Sequence, residues 1–297
     1  MIEPVKAPFP WFGGKRRVAP LVWERFGDVP NYVEPFFGSG AVLLGRPTPP
    51  GTETVNDLDC YLANFWRAVQ ADPEAVAAHA DWPVNEADLH ARHLWLVRQE
   101  EFRERMKTEP EFFDVKIAGW WVWGLCLWIG DGWCGVRERP SRQLPNVGNG
   151  GMGVHRKLTS TINFDDLASR LRRVRVACGE WQRVVSDTVT SNQGLTGVFL
   201  DPPYDDGAIT YGAGGGGISA GVREWAVANG ENQALRIALC GYEGEHEMPA
   251  SWVCVPWKAP AGYGKKKNAA RERIWFSPAC LVPGRSNYYD LFEEPVS

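Results

Sequence analysis

The sequence predicts an α/β fold in which one sheet is interrupted by an inserted, mainly helical lobe. Three observations carry that expectation. Short apolar runs of strand length recur at 31–34, 53–56, 198–201, 235–241, 251–256 and 273–277, with helix-favouring stretches between them. The first run passes through a glycine-bearing turn straight into a second apolar run, the strand–turn–helix order of α/β units. The middle of the chain, about 71 to 165, instead carries a charged helical stretch followed by clustered tryptophans. At 297 residues, 44% apolar and 23% charged, the chain can bury one large core or a core with an inserted lobe.

At the N-terminus, Pro10-Trp11-Phe12-Gly13-Gly14-Lys15-Arg16-Arg17 sets a glycine pair between large aromatics and a cation. Lys15 is followed by Arg16 rather than Ser or Thr, which excludes a phosphate loop of the NTPase kind. The glycines imply a close backbone approach, and Trp11 with Lys15 could cover a purine and hold a carboxylate; a Trp packed on a surface turn is the plainer alternative. Next, Asn31-Tyr32-Val33-Glu34-Pro35 reads as a strand entering Phe36-Phe37-Gly38-Ser39-Gly40, and Ala41-Val42-Leu43-Leu44 begins a helix. Small residues there let a nucleoside-bearing cofactor approach the helix start. Only Gly38 and Gly40 occur, without a third spaced glycine, so a dinucleotide pyrophosphate fits poorly and a nicotinamide-dependent dehydrogenase is disfavoured. Asp57 ends the second strand, where such sheets set an acid against ribose hydroxyls, and Asp59 could share that role.

Residues 58–70 follow with Leu62, Phe65, Trp66 and Val69 at helical spacing. Residues 86–109 are charged and helix-favouring, and 116–135 concentrate Trp120, Trp121, Trp123, Trp128 and Trp133, expected mainly in the core. From 137 to 157 a Gly-, Asn- and Arg-rich segment reads as a loop or hairpin tip that could order on a nucleic acid, with Arg137, Arg139, Arg142 or Asn146 available to phosphates or base edges. Residues 164–174 open acidic and close basic, as a helix dipole favours. Then Gly197-Val198-Phe199-Leu200 reads as a buried strand ending in Asp201-Pro202-Pro203-Tyr204. An acid, two prolines and an aromatic at a strand end make a rigid set of acceptors beside a flat ring, suited to an exocyclic amino group on a base. Alone, the tetrapeptide reads equally well as a turn. The glycine run 212–217 promises flexibility only, as a lid or an ordinary connection. Lys265, Lys266, Lys267, Arg271 and Arg273, opposed only by Glu272, precede the last strand.

A net charge of -4 does not announce a nucleic-acid binder, but basic stretches at 137–157, 170–175 and 265–273 permit a groove that tracks phosphates. The 7 cysteines are widely spaced without a Cys-x-x-Cys pair, which argues against zinc and a disulfide framework and for small buried hydrophobes. His90 and His93 lack a third nearby ligand, so a surface helix is expected and no metal. No secretory segment and no apolar span of membrane length appears, so a cytoplasmic protein is expected.

Taken in order, the run from Phe9 to Lys15, the Tyr32-to-Ala41 block, Asn56-Asp57-Leu58-Asp59 and Asp201-Pro202-Pro203-Tyr204 resemble the Dam-type DNA N6-adenine methyltransferases. The resemblance is dense over 7–70 and 195–206 and weak from about 75 to 165. It implies a Rossmann-like class I methyltransferase sheet formed by 1–60 and 165–297, with a target recognition lobe at 61–164. It further implies S-adenosylmethionine contacts at Trp11, Lys15, Glu34, Gly38, Gly40, Asp57 and Asp201, and a catalytic platform of Asp201, Pro202 and Tyr204. The implied substrate is double-stranded DNA, held also by Arg137, Arg139, Arg142, Lys265, Lys266 and Lys267, and any restriction endonuclease partner is a separate protein. Two other readings stay open: a methyltransferase acting on RNA or a protein amide, and a catalytically idle nucleic-acid-binding relative.

Overall fold

The computed structural model describes residues 5–11, 14–129, 132–135, 144–147, 163–204, 217–258 and 270–283. Among them one seven-stranded sheet runs β3-β2-β1-β4-β5-β7-β6, from β1 (Asn31–Glu34), β2 (Thr52–Asp57), β3 (Val174–Cys178), β4 (Thr196–Leu200), β5 (Leu235–Tyr242), β6 (Val253–Pro256) and β7 (Glu272–Phe276). The five strands from β3 to β5 are parallel, and β7 runs antiparallel between β5 and β6. This is the doubly wound order with one reversed strand near an edge, the Rossmann-like architecture expected.

Side-chain alternation explains why both faces must be covered. Tyr32, Phe199, Ala238, Cys240, Ile274 and Phe276 enter one core cluster, while Val33, Val198, Leu200, Ile237, Leu239 and Trp275 enter the other. The first cluster takes in α1 (Ala19–Phe26), α2 (Ala41–Leu44) and α3 (Cys60–Ala71); the second is covered by α9 (Ile218–Asn229) through Val222 and Ala226.

The remaining helices are α4 (Pro73–Ala80), α5 (Glu86–Val97), α6 (Glu100–Thr108), α7 (Val115–Leu127) and α8 (Phe164–Leu171). Their starts are legible. Asp59, Asp72, Asn85, Asp114 and Asn163 each accept a bond from a backbone N–H of the first turn of α3, α4, α5, α7 and α8. The first core cluster continues through α3 into α7, where Trp121 and Trp123 are buried and Trp120 and Trp133 partly so.

One reading is refined and two are corrected. The helix-favouring stretch 86–109 forms two helices, α5 and α6, divided at Arg98 and Gln99. The helix expected to reach 174 stops at Leu171, and Val174–Cys178 turns into β3, pairing parallel with β2. His93 is not on a surface: it is 1% exposed, stacks on Trp128 at 4.8 Å and accepts the Cys134 N–H through Nδ1.

At the end of the sheet opposite the strands' C-termini lies a buried ion cluster. Glu53 is 2% exposed; its Oε2 meets Arg170 Nη1 at 2.6 Å and its Oε1 meets Arg46 Nη1 at 3.3 Å. Arg170 also donates to the Leu43 carbonyl at 2.9 Å, so one carboxylate ties β2 to α8 and to the end of α2.

Candidate active site

The groups of interest gather outside the C-terminal ends of β1, β2 and β4, where open parallel sheets carry their clefts. The loop after β1 is shaped by its glycines. Gly38 has φ +49°, and a Cβ there would lie 2.5 Å from Trp11 Nε1, so only glycine lets the Trp11 ring rest on this loop. Both polar backbone groups of Gly38 are fixed: its N–H donates to Asp57 Oδ2 at 3.1 Å and its carbonyl accepts the Trp66 indole N–H at 3.1 Å. Gly40, at φ +67°, leaves room for the Phe37 ring.

Asp57 therefore stands where β2 meets the glycine loop. Its Oδ1 accepts the Asp59 N–H at 3.0 Å, while Asp59 caps α3 through Tyr61 N–H. Burial pushes the Asp57 carboxyl up to about 7; the Asp59 charge adds to this, and the amide bonds from Asp59 and Gly38 oppose it. A carboxyl raised in this way holds its proton in the folded chain between its ordinary value, about 4, and 7, so its share of stability is lost as pH rises through that window. The variant Asp57→Asn is accordingly expected to show a weaker fall of urea midpoint from pH 5 to pH 8 than the parent chain. An unchanged slope would refute the assignment.

Glu34, the last residue of β1, is 2% exposed. It receives the Tyr32 hydroxyl at 2.8 Å, and burial chiefly, with Asp201 adding, holds its carboxyl well above the usual range. Its polar atoms thus face the chain's own donors.

After β4, Asp201 is gripped from two sides. Lys15 Nζ lies 2.9 Å from Oδ2, and the Tyr204 hydroxyl donates to Oδ1 at 2.9 Å. Lys15 is 5% exposed; burial alone would lower its pKa, but Asp201 first and then further negative partners outweigh it and raise the ammonium well above its ordinary value. The same ammonium sits 5.4 Å from the ring centres of Tyr204 and Trp257. Tyr204 meets Tyr242 of β5 edge to face at 4.6 Å, and Pro202 is buried. Two prolines keep the segment out of a helix, so the acid and the ring stay at the strand's mouth.

Sequence reasoning missed Glu272, the first residue of β7, whose Oε2 lies 3.2 Å from the Tyr204 hydroxyl and which is 3% exposed. Its signal was present: a lone acid inside a basic stretch at a strand start. Trp257 was missed too; among the described residues its buried indole N–H has no partner. Trp11, Lys15, Glu34, Gly38, Gly40, Asp57, Asp201, Pro202 and Tyr204 all stand on segments bordering these strand ends. Arg137, Arg139, Arg142, Lys265, Lys266 and Lys267 lie outside the described residues, as does the glycine run up to 216.

The cysteines divide. Cys126, Cys134, Cys240 and Cys280 are the small buried hydrophobes expected, but Cys254 is exposed, and half-buried Cys60 and Cys178 meet Sγ to Sγ at 3.8 Å. The β2–β3 register, which sets Cys178 beside Asp57, accounts for that meeting. Among the described residues no group of three His, Cys, Asp or Glu is arranged to hold a metal ion, and no helix is long and apolar enough to cross a membrane.

A doubly wound sheet with a glycine loop after its first strand, an acid ending its second and a carboxylate held beside a tyrosine after its fourth defines a class: a Rossmann-like α/β protein whose polar groups gather at the mouth of its parallel strands. Comparison with known proteins bears on the reaction class. Residues 11–118 match the model of the D12 class N6 adenine-specific DNA methyltransferases, in agreement with the Dam-type resemblance, and this supports a DNA adenine methyltransferase enzyme. The family implies a methyl donor and a DNA substrate. Asp201 to Tyr204 lie beyond the matched stretch. No curated protein matches the chain.

Proposed function

We propose that the chain transfers a methyl group from S-adenosylmethionine to the N6 amino group of an adenine flipped out of DNA. The observation that carries this reading is the Asp201 carboxylate, held at 2.9 Å by both Lys15 and Tyr204 beside the loop that joins Gly38 to Asp57. The donor set suits such a cofactor. The Asp57 carboxylate is oriented by two amides with lone pairs left for ribose hydroxyls, and Gly38 keeps the loop free of a side chain under Trp11. When bound, S-adenosylmethionine supplies a methyl already activated on a sulfonium.

The rest falls to the chain's own residues. Adenine N6 is a weak nucleophile because its lone pair is delocalised into the ring, so the site must orient it and stabilise positive charge growing on nitrogen. Asp201 and the Pro202 carbonyl are the acceptors for its two N–H bonds, and Tyr204 supplies a ring face for the base. Lys15 keeps Asp201 aimed. Flipping costs a few kcal/mol, offset by stacking and burial. Within this reading 61–164 meets the target sequence while 1–60 and 165–297 hold the cofactor, with Arg137, Arg139, Arg142, Lys265, Lys266 and Lys267 on the DNA backbone.

Incubation with labelled S-adenosylmethionine and unmodified plasmid, followed by nucleoside analysis, is expected to return label in N6-methyladenine. Label appearing in RNA or protein, or none at all, would replace this reading with one of its two rivals.

A further inference from the structure

Resting on that reading, we propose that Glu272 is a positioning residue that sets the direction of the Tyr204 hydroxyl, and so how freely Asp201 accepts the amino group of the base. Proton arithmetic leads there. A phenol has one proton to donate, yet the Tyr204 hydroxyl has two carboxylates in reach, Asp201 Oδ1 at 2.9 Å and Glu272 Oε2 at 3.2 Å. Asp201 Oδ2 is already engaged by Lys15, so Oδ1 is the oxygen left for a substrate N–H.

Two arrangements follow. With Glu272 protonated, its own O–H donates to the Tyr204 oxygen and the phenol proton is committed to Asp201. Oδ1 is then bonded and partly neutralised, a poorer acceptor for charge developing on nitrogen. With Glu272 ionised, the phenol proton can turn to it, Oδ1 opens toward the base, and a second negative charge stands beside the reacting amine. Methyl transfer at saturation is therefore faster in the ionised arrangement.

The groups facing Glu272 fix where that change falls. From before α1 comes Lys15; after β4, Asp201 and Tyr204; from β5 and its turn, Cys240 and Glu245; on its own strand, Arg273 donates to the Glu272 carbonyl. Burial first raises this carboxyl, Lys15 opposes and Asp201 adds, and the balance brings it up to about 7. The ionised arrangement thus gains as pH rises through neutrality.

The test is single-turnover methyl transfer to adenine, with cofactor and DNA both saturating, from pH 5.5 to 8.5. The parent chain is expected to rise about tenfold from pH 6 to its plateau, following one ionisation. Glu272→Gln keeps an acceptor oxygen but has no proton to lose, so its profile should be flat across this range. Tyr204→Phe severs the relay and should likewise lose the limb, whatever its remaining rate. Saturation separates this limb from Asp57, which lies on the cofactor side and would act through KM. An acid limb that persists in either variant overturns the proposal while leaving the methyl transfer reading intact; absence of transfer to adenine by the parent chain overturns that reading itself.

Discussion

Replacing Asp201 by asparagine is expected to lower single-turnover methyl transfer by about 10²–10³, the usual cost of losing one charged acceptor aimed at a developing charge. The side chain keeps its shape but no longer offers an anionic oxygen to the amino group. Alanine is the wrong probe of the same idea. Asp201 is the 2.9 Å partner of an almost fully buried Lys15, and deleting it costs the fold as well as the chemistry. Breaking one side of a buried pair typically costs about 3–5 kcal/mol. Asparagine also removes the charge but leaves an amide oxygen for Lys15, so the alanine variant should melt below the asparagine variant, and the latter, assayed as folded protein, is the cleaner report on catalysis. Near-parental turnover in Asp201→Asn would remove Asp201 from the acceptor role.

Glu53→Ala is expected to give the largest stability loss among surface-distant polar changes, again about 3–5 kcal/mol. It strands two guanidinium groups, Arg46 and Arg170, whose side chains are 1% and 10% exposed. Because the cluster lies at the far end of β2 from Asp57, methyl transfer by the folded fraction should be unaffected. Thermal melting with an activity assay at low temperature checks both halves, and a melting point within about 1 °C of the parent would mean the cluster is solvated after all.

These two residues mark what the sequence could and could not convey. Segments whose meaning is local were legible: the β1 turn with Gly38 and Gly40, the acid closing β2, and the acid and prolines after β4 each announce themselves within a few residues. Pairings formed across the chain were not. Nothing near Glu53 names Arg170, which stands 117 positions away, and nothing near Tyr204 names Glu272, 68 positions on. The strand Val174–Cys178 was hidden for a different reason. It lies at a sheet edge, where the arginine at 175 is tolerated and donates to Thr54 Oγ1, so its apolar alternation merges with the basic end of α8. The break at Arg98 and Gln99 has no glycine or proline to signal it.

The placement of β1 bears on how the chain is made. Its two neighbours come from opposite ends of the synthesis: β2 follows almost at once, whereas β4 arrives much later, as the 165-residue separation of the bonded pair Asn31 and Thr196 records. At about 5–20 residues per second a ribosome needs roughly 10–30 s to cover that interval. Throughout it, one edge of a fully buried strand is bare while α3 to α7 emerge. The helices, whose main packing partners among themselves all precede β4 in the chain, can form during the wait, and they cover one face of the nascent β1–β2 pair before its edge is closed. The intervening region thereby serves as an early folding partner for the sheet that it interrupts.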